Sequence, residues 1–115
     1  MVSQHNQQLL NQIQIYQQQL QTILAQKENL KLQSLEIEKA LNELEKTEEK
    51  NAYKIAGPVL VKTPVETLKK ELNEKKETLE VRLKSVEKTE KMVNDKIEEL
   101  RQKLLKAGKD QEYGG

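Results

Sequence analysis

Cysteine, phenylalanine and tryptophan are missing from this chain altogether. The first absence excludes disulfide frameworks, thiol nucleophiles and cysteine-based zinc sites together. The other two leave aromatic residues at 3% and hydrophobic residues at 35% of 115. A domain of this size normally buries about two thirds of its unfolded surface, and the large side chains that would fill such a core are scarce. Helix breakers are rare too, with four glycines and two prolines. Charge of one sign is also lacking: 20 Lys and Arg meet 19 Asp and Glu, interspersed, for a net charge of +1. No basic stripe is left for nucleic acid. No apolar run approaches the roughly 20 residues of a membrane span, and no helix sets a basic face against a bulky apolar one, as membrane-surface helices do. MVSQHNQQLL lacks the basic-then-apolar order of a signal peptide. The expectation is a soluble, mostly helical protein of the cytoplasm.

What is present is a heptad rhythm. Apolar residues recur at steps of four and three through Leu9, Ile13, Tyr16, Leu20, Ile23, Leu30, Ile37, Leu41 and Leu44, with Lys27 and Ser34 interrupting. Leu10, Leu24 and Leu35 widen that stripe. The pattern returns at Val65, Leu68, Leu72, Leu79, Leu83, Val86, Val93, Ile97, Leu100 and Leu104, broken by Lys75 and Glu90. A seam held over several heptads argues for coiled coil rather than for an ordinary surface helix. The many glutamines between Gln7 and Gln21 do not argue for disorder, since the apolar period runs through them and Gln is a good helix former. Glu66–Lys70, Glu71–Lys75, Glu80–Lys84, Glu87–Lys91 and Glu99–Lys103 have the i, i+4 spacing of helix-supporting ion pairs.

The expected organisation is one domain over 1–115: a helix at 8–49, a β-hairpin at 52–62, a helix at 63–107 and a flexible tail at 108–115. Thr63, Pro64 and Glu66 read as a capping box with proline at the first helical position, and Gly108 as the helix stop. Two helices of roughly 60 Å each bury their stripes most cheaply by folding back on one another. That brings Leu44 near Leu68, and Leu9 and Ile13 near Leu100 and Leu104. The fold class is mainly α: an antiparallel two-helix coiled coil joined by a central β-hairpin.

The connector YKIAGPVLVK departs from both flanks. Gly57 and Pro58 suit a tight turn, with Tyr53 and Ile55 before it and Val59, Leu60 and Val61 after it. It is too apolar for a simple helix–helix loop. A lone hairpin is marginal in water, and its edges invite pairing with other chains. The expectation is an assembly device closing with other subunits' hairpins into a β-barrel; a loop folded against its own helix is the plainer possibility.

At this point the chain resembles the prefoldin β-type subunits, the β subunit of the archaeal GimC chaperone and the related eukaryotic β class. The resemblance spans nearly the whole chain and rests on IYQQQLQTILAQKENL, on YKIAGPVLVKTPVETLKKELNEKKETLEVRL and on the single hairpin between two helices. It implies hexamers of two α-type subunits with four β. Their hairpins would form a double β-barrel platform, and coiled-coil tentacles would hold unfolded polypeptides at their tips without ATP and pass them to a group II chaperonin. On that reading the tip residues are Leu9, Leu10, Ile13, Leu100, Leu104 and Leu105. Leu9, Ile13, Leu100 and Leu104 double as seam residues, whereas Leu10 and Leu105 lie beside the seam. The Gln-rich faces nearby offer hydrogen bonds without charge.

No enzyme is expected. GPVLVKT lacks the second glycine and the spacing of a phosphate-binding loop. His5 stands alone near a terminus, and the Glu48–Glu49 and Glu98–Glu99 neighbours diverge on a helix. No catalytic residue, metal ligand or cofactor site emerges. A structural or tethering coiled coil without chaperone activity explains the heptads equally well but leaves the apolar connector without a role.

Overall fold

The computed structural model describes residues 3–113, and the side chains of residues 3–107. Helix α1 runs Gln4–Lys46, strand β1 Asn51–Ala56, strand β2 Val59–Pro64 and helix α2 Val65–Tyr113. The order is the one expected; the boundaries differ for identifiable reasons.

Helix α1 begins earlier than residue 8 because Ser3 caps it. The Ser3 hydroxyl accepts the Asn6 N–H at 3.1 Å, and its carbonyl accepts the Gln7 N–H at 2.9 Å, which satisfies donors that a helix N-terminus otherwise leaves free. At the other end, Thr47 N–H still donates to Glu43 at 3.1 Å. The Thr47 hydroxyl then accepts the Glu49 N–H at 3.2 Å, and this local turn ends the helix short of 49.

The hairpin is longer than 52–62. Its register pairs Asn51 with Pro64, Tyr53 with Lys62, Lys54 with Val61, Ile55 with Leu60 and Ala56 with Val59. Gly57 takes φ +60° and Pro58 follows it, the pattern of a two-residue type II′ turn whose twist matches the strands. Thr63 and Pro64 therefore end β2, and the expected capping box does not form. The Thr63 hydroxyl donates instead to the Val61 carbonyl at 3.1 Å. The first N–H of α2, from Val65, is taken by the Lys50 carbonyl at 2.9 Å.

Gly108 does not stop α2, which continues to Tyr113. A single glycine disfavours a helix by only about 1 kcal/mol, and the helix C-terminus lies beyond it. Of the expected flexible tail, 108–113 are thus helical, while Gly114 and Gly115 lie outside the described residues.

The chain divides into two compact units, Met1–Lys27 with Ser85–Gly115, and Glu28–Lys84. In the first, Leu9, Ile13 and Ile23 of α1 pack with Val93, Ile97 and Leu100 of α2, and Tyr16, Leu20, Val86 and Leu104 close the cluster. In the second, Val65, Leu68 and Leu79 are buried, and Glu45–Lys69 at 3.5 Å and Glu38–Lys76 at 3.8 Å tie α1 to α2. The helices are antiparallel partners within each unit.

Every seam position named on α1 is buried or half-buried, including Lys27 and Ser34. On α2 one assignment changes: Lys75 is exposed, and its neighbour Lys76 is the half-buried one. Leu68, Leu72, Lys76 and Leu79 follow one another at steps of four, four and three, a local departure from the 3.5-residue period. Leu24 and Leu35 stay exposed, so the stripe on α1 is narrower there than expected.

Of the five i, i+4 pairs expected, only Glu99–Lys103 is closed among the described residues, at 3.4 Å. Glu66 meets Lys69 at 3.5 Å. Glu71 accepts from Lys54 on β1 at 2.9 Å. A lysine on a neighbouring element outcompetes the local partner where it reaches the same carboxylate.

Candidate functional site

Two surfaces carry the side chains that sequence reasoning singled out. The first is the hairpin, in the unit 28–84. Alternation along the strands sends successive side chains to opposite faces. With the observed register, one face holds Tyr53, Ile55, Leu60 and Lys62, and the other Lys54, Ala56, Val59 and Val61. All of Tyr53, Ile55, Val59, Leu60 and Val61 are exposed, by 45% to 76%. That combination disposes of the plainer expectation: a loop folded against its own helix would cover one set. Lys54 reaches Glu71 of α2 and gives the second face a polar tether to the helix. The sheet has two strands only, so each strand keeps one edge of backbone donors and acceptors unpaired, a template for strand addition.

The second surface lies in the other unit, where α1 begins and α2 approaches its end. Leu9, Ile13 and Leu100 are 5%, 7% and 3% exposed and belong to the packed cluster. Leu104 is half-buried against it. Leu10 is half-buried and Leu105 is 61% exposed. The structure therefore brings four of the six expected tip residues, Leu9, Ile13, Leu100 and Leu104, into one cluster, and leaves Leu105 the most exposed of the six.

Sequence reasoning missed Asn6, which is 6% exposed and whose Oδ1 has no hydrogen-bond partner among the described residues. The signal was available: Asn6, Leu9 and Ile13 continue the three-and-four step one position toward the N-terminus. Exposed Ile15, Leu32, Val81 and Met92 were also unmarked, and lying off the seam they leave no periodic trace.

Electrostatics in this unit centre on Lys27 and Glu90, 2.9 Å apart. The hydrogen bond to Glu90 holds the Lys27 ammonium above its ordinary value of 10.5; partial burial opposes this, and the charges of Glu90 and Glu87 add to it. Glu99 is held below the ordinary carboxylate value, first by its hydrogen bond from Lys103 and then by the charges of Lys96 and Lys103. Among the described residues no cluster of three or more His, Cys, Asp and Glu is placed to hold a metal, and no helix is long and apolar enough to cross a membrane.

Two long paired helices joined by an exposed apolar β-hairpin define the class of architecture to which this chain belongs. Comparison with known proteins makes the class specific. The family model described as Prefoldin subunit matches residues 7–111. The prefoldin subunit beta of Thermococcus onnurineus is 47% identical over 100 residues, 86% of each chain. That of Pyrococcus furiosus is 45% identical over the same share. The crystal structure of the prefoldin beta subunit from Thermococcus strain KS-1 superposes with a TM-score of 0.87 at 40% identity, covering 93% of this chain and 95% of that one. This chain belongs to the prefoldin family, as a β-type subunit. The family is one of chaperone subunits and not an enzyme class.

Proposed function

We propose that this chain is a β subunit of a hetero-hexameric chaperone, four copies joining two α-type subunits. It captures unfolded polypeptides at the free ends of its helix pair, without ATP, and delivers them to a group II chaperonin in the cytoplasm. The observation that carries the assembly half of this reading is the hairpin. Five large apolar side chains stand exposed on both faces of a two-stranded sheet with unpaired edges. Closure with hairpins of other subunits into a barrel would bury the side chains and pair the edges in one step.

Client capture draws on the other end of the helices. Leu105 is open to a client directly, Leu10 partly, and Leu9, Ile13, Leu100 and Leu104 become available when the helix ends part. Each contact is weak, and several ends acting on one chain supply the avidity. The chaperonin contact has no assigned residues in this reading.

Native mass of the chain, alone and mixed with an α-type subunit, tests the assembly. A mass of two α with four β is expected; a stable dimer indifferent to the α subunit would favour a tethering coiled coil. Removing residues 1–12 and 101–115 tests the tips. Loss of aggregation suppression with retained assembly is expected, and full activity would refute the tip assignment.

A further inference from the structure

The proposed client-binding end poses a physical difficulty: three of its six leucine and isoleucine side chains are sealed in the seam, at 3% to 7% exposure. They serve a client only if this end opens. Asn6 sits one step beyond Leu9 in the same seam row, 6% exposed. Its backbone N–H is satisfied by Ser3, but its side-chain Oδ1 is buried without a donor among the described residues. A buried acceptor left unpaired carries the desolvation penalty of the group with no compensating bond, and a polar residue at a core seam position lowers coiled-coil stability. Both effects vanish when the end opens and water reaches the amide.

We propose that Asn6 is a built-in weak point that lets the helix ends part and expose Leu9, Ile13, Leu100 and Leu104 to an unfolded chain. The proposal rests on the tip-capture reading above and adds its control. Asn6 acts here by position: its unpaired oxygen favours the open form over the closed one, while the leucines make the client contact. The seam continues inward through Leu9, Ile13, Tyr16, Leu20 and Ile23 with no amide or charged side chain before Lys27, and Lys27 is paired with Glu90, so the weak point lies at the end that holds Asn6.

The test is Asn6→Leu, with Asn6→Val as a second variant, in the assembled oligomer. Amide hydrogen exchange is read over residues 7–16 and 93–104, and capture is read as suppression of aggregation of an unfolded model protein. The expected result is exchange slowed about tenfold or more at the helix ends, with capture weakened in parallel. Unchanged exchange in both variants would overturn the proposal, as would slowed exchange with undiminished capture. Leu9→Ser and Leu105→Ser separate this from the underlying reading. If both retain full capture, the tips are not the client surface. If they lose it while Asn6→Leu does not, only the role of Asn6 falls.

Discussion

Lys27 of α1 donates to Glu90 of α2 across the seam at 2.9 Å, with side-chain exposures of 24% and 20%. Each is one of the polar interruptions in its row, and the fold brings these two together. A lone charge at either position would lie half-buried without a partner; paired, each satisfies the other and marks one alignment of the two helices as correct. Charge reversal tests this. Lys27→Glu should lower the thermal midpoint, and adding Glu90→Lys should restore most of the loss. No recovery in the double variant would mean the pair carries no alignment information.

The same pair predicts a response to alkali. Because the folded-state pKa of Lys27 is raised, its contribution is fully present below the ordinary value of 10.5 and is lost as pH rises through the folded value. Thermal melting from about pH 9 to about pH 12 should show wild type and Lys27→Met converging at the alkaline end. Glu99 works in the opposite direction. Its lowered pKa gives a contribution present above the ordinary 4.5 and lost as pH falls through the folded value. Glu99→Gln should differ from wild type near neutrality and converge with it in acid.

Leu100 and Leu105 make a paired comparison. Leu100 is 3% exposed within the cluster, so Leu100→Ala should cost about 2–5 kcal/mol of stability. Leu105→Ala should change stability by no more than about 0.5 kcal/mol. Chemical denaturation measures both. A large loss at Leu105 would show that it packs against something in the assembly.

The hairpin variants separate assembly from folding. Val59→Asp with Val61→Asp places charges on exposed positions, so the helix pair should keep its circular dichroism while native mass drops to the monomer. Survival of the oligomer would end the barrel reading.

Gly57 offers a finer probe of the same turn. A Cβ there would meet no atom within 4 Å, but φ is +60°. Gly57→Val therefore suffers backbone strain alone, of about 1–2 kcal/mol. Assembly should weaken without any steric clash, and native mass at falling concentration would show it.

Much of this was legible in the chain. The seam residues from Leu9 to Leu44 declared the long pairing because burial repeats with the helix period. Gly57 and Pro58 declared the turn because glycine takes a positive φ without strain and proline presets the φ that follows it. What stayed hidden depended on competition between partners. Thr63 looks like a helix cap until β1 is present to extend β2 through Pro64. Glu71 looks like a partner for Lys75 until Lys54 arrives from the strand. Lys75 and Lys76 exchange places because the spacing drifts locally and the sequence offers a lysine at both. Leu9, Ile13, Leu100 and Leu104 were legible as seam positions and pack in one cluster; that Leu10, beside the seam like Leu105, would be half-buried while Leu105 is exposed depends on neighbours the period does not specify.

The bond from Val65 N–H to the Lys50 carbonyl at 2.9 Å has a mechanical consequence. Strand β2 passes into α2 with no intervening loop, whereas α1 is joined to β1 through the turn at 47–50. The hairpin is thus continuous with α2 by backbone and joined to α1 by a link that the Lys50–Val65 bond braces against the start of α2. In the unit formed by residues 28–84, both helices leave the hairpin from one hydrogen-bonded corner.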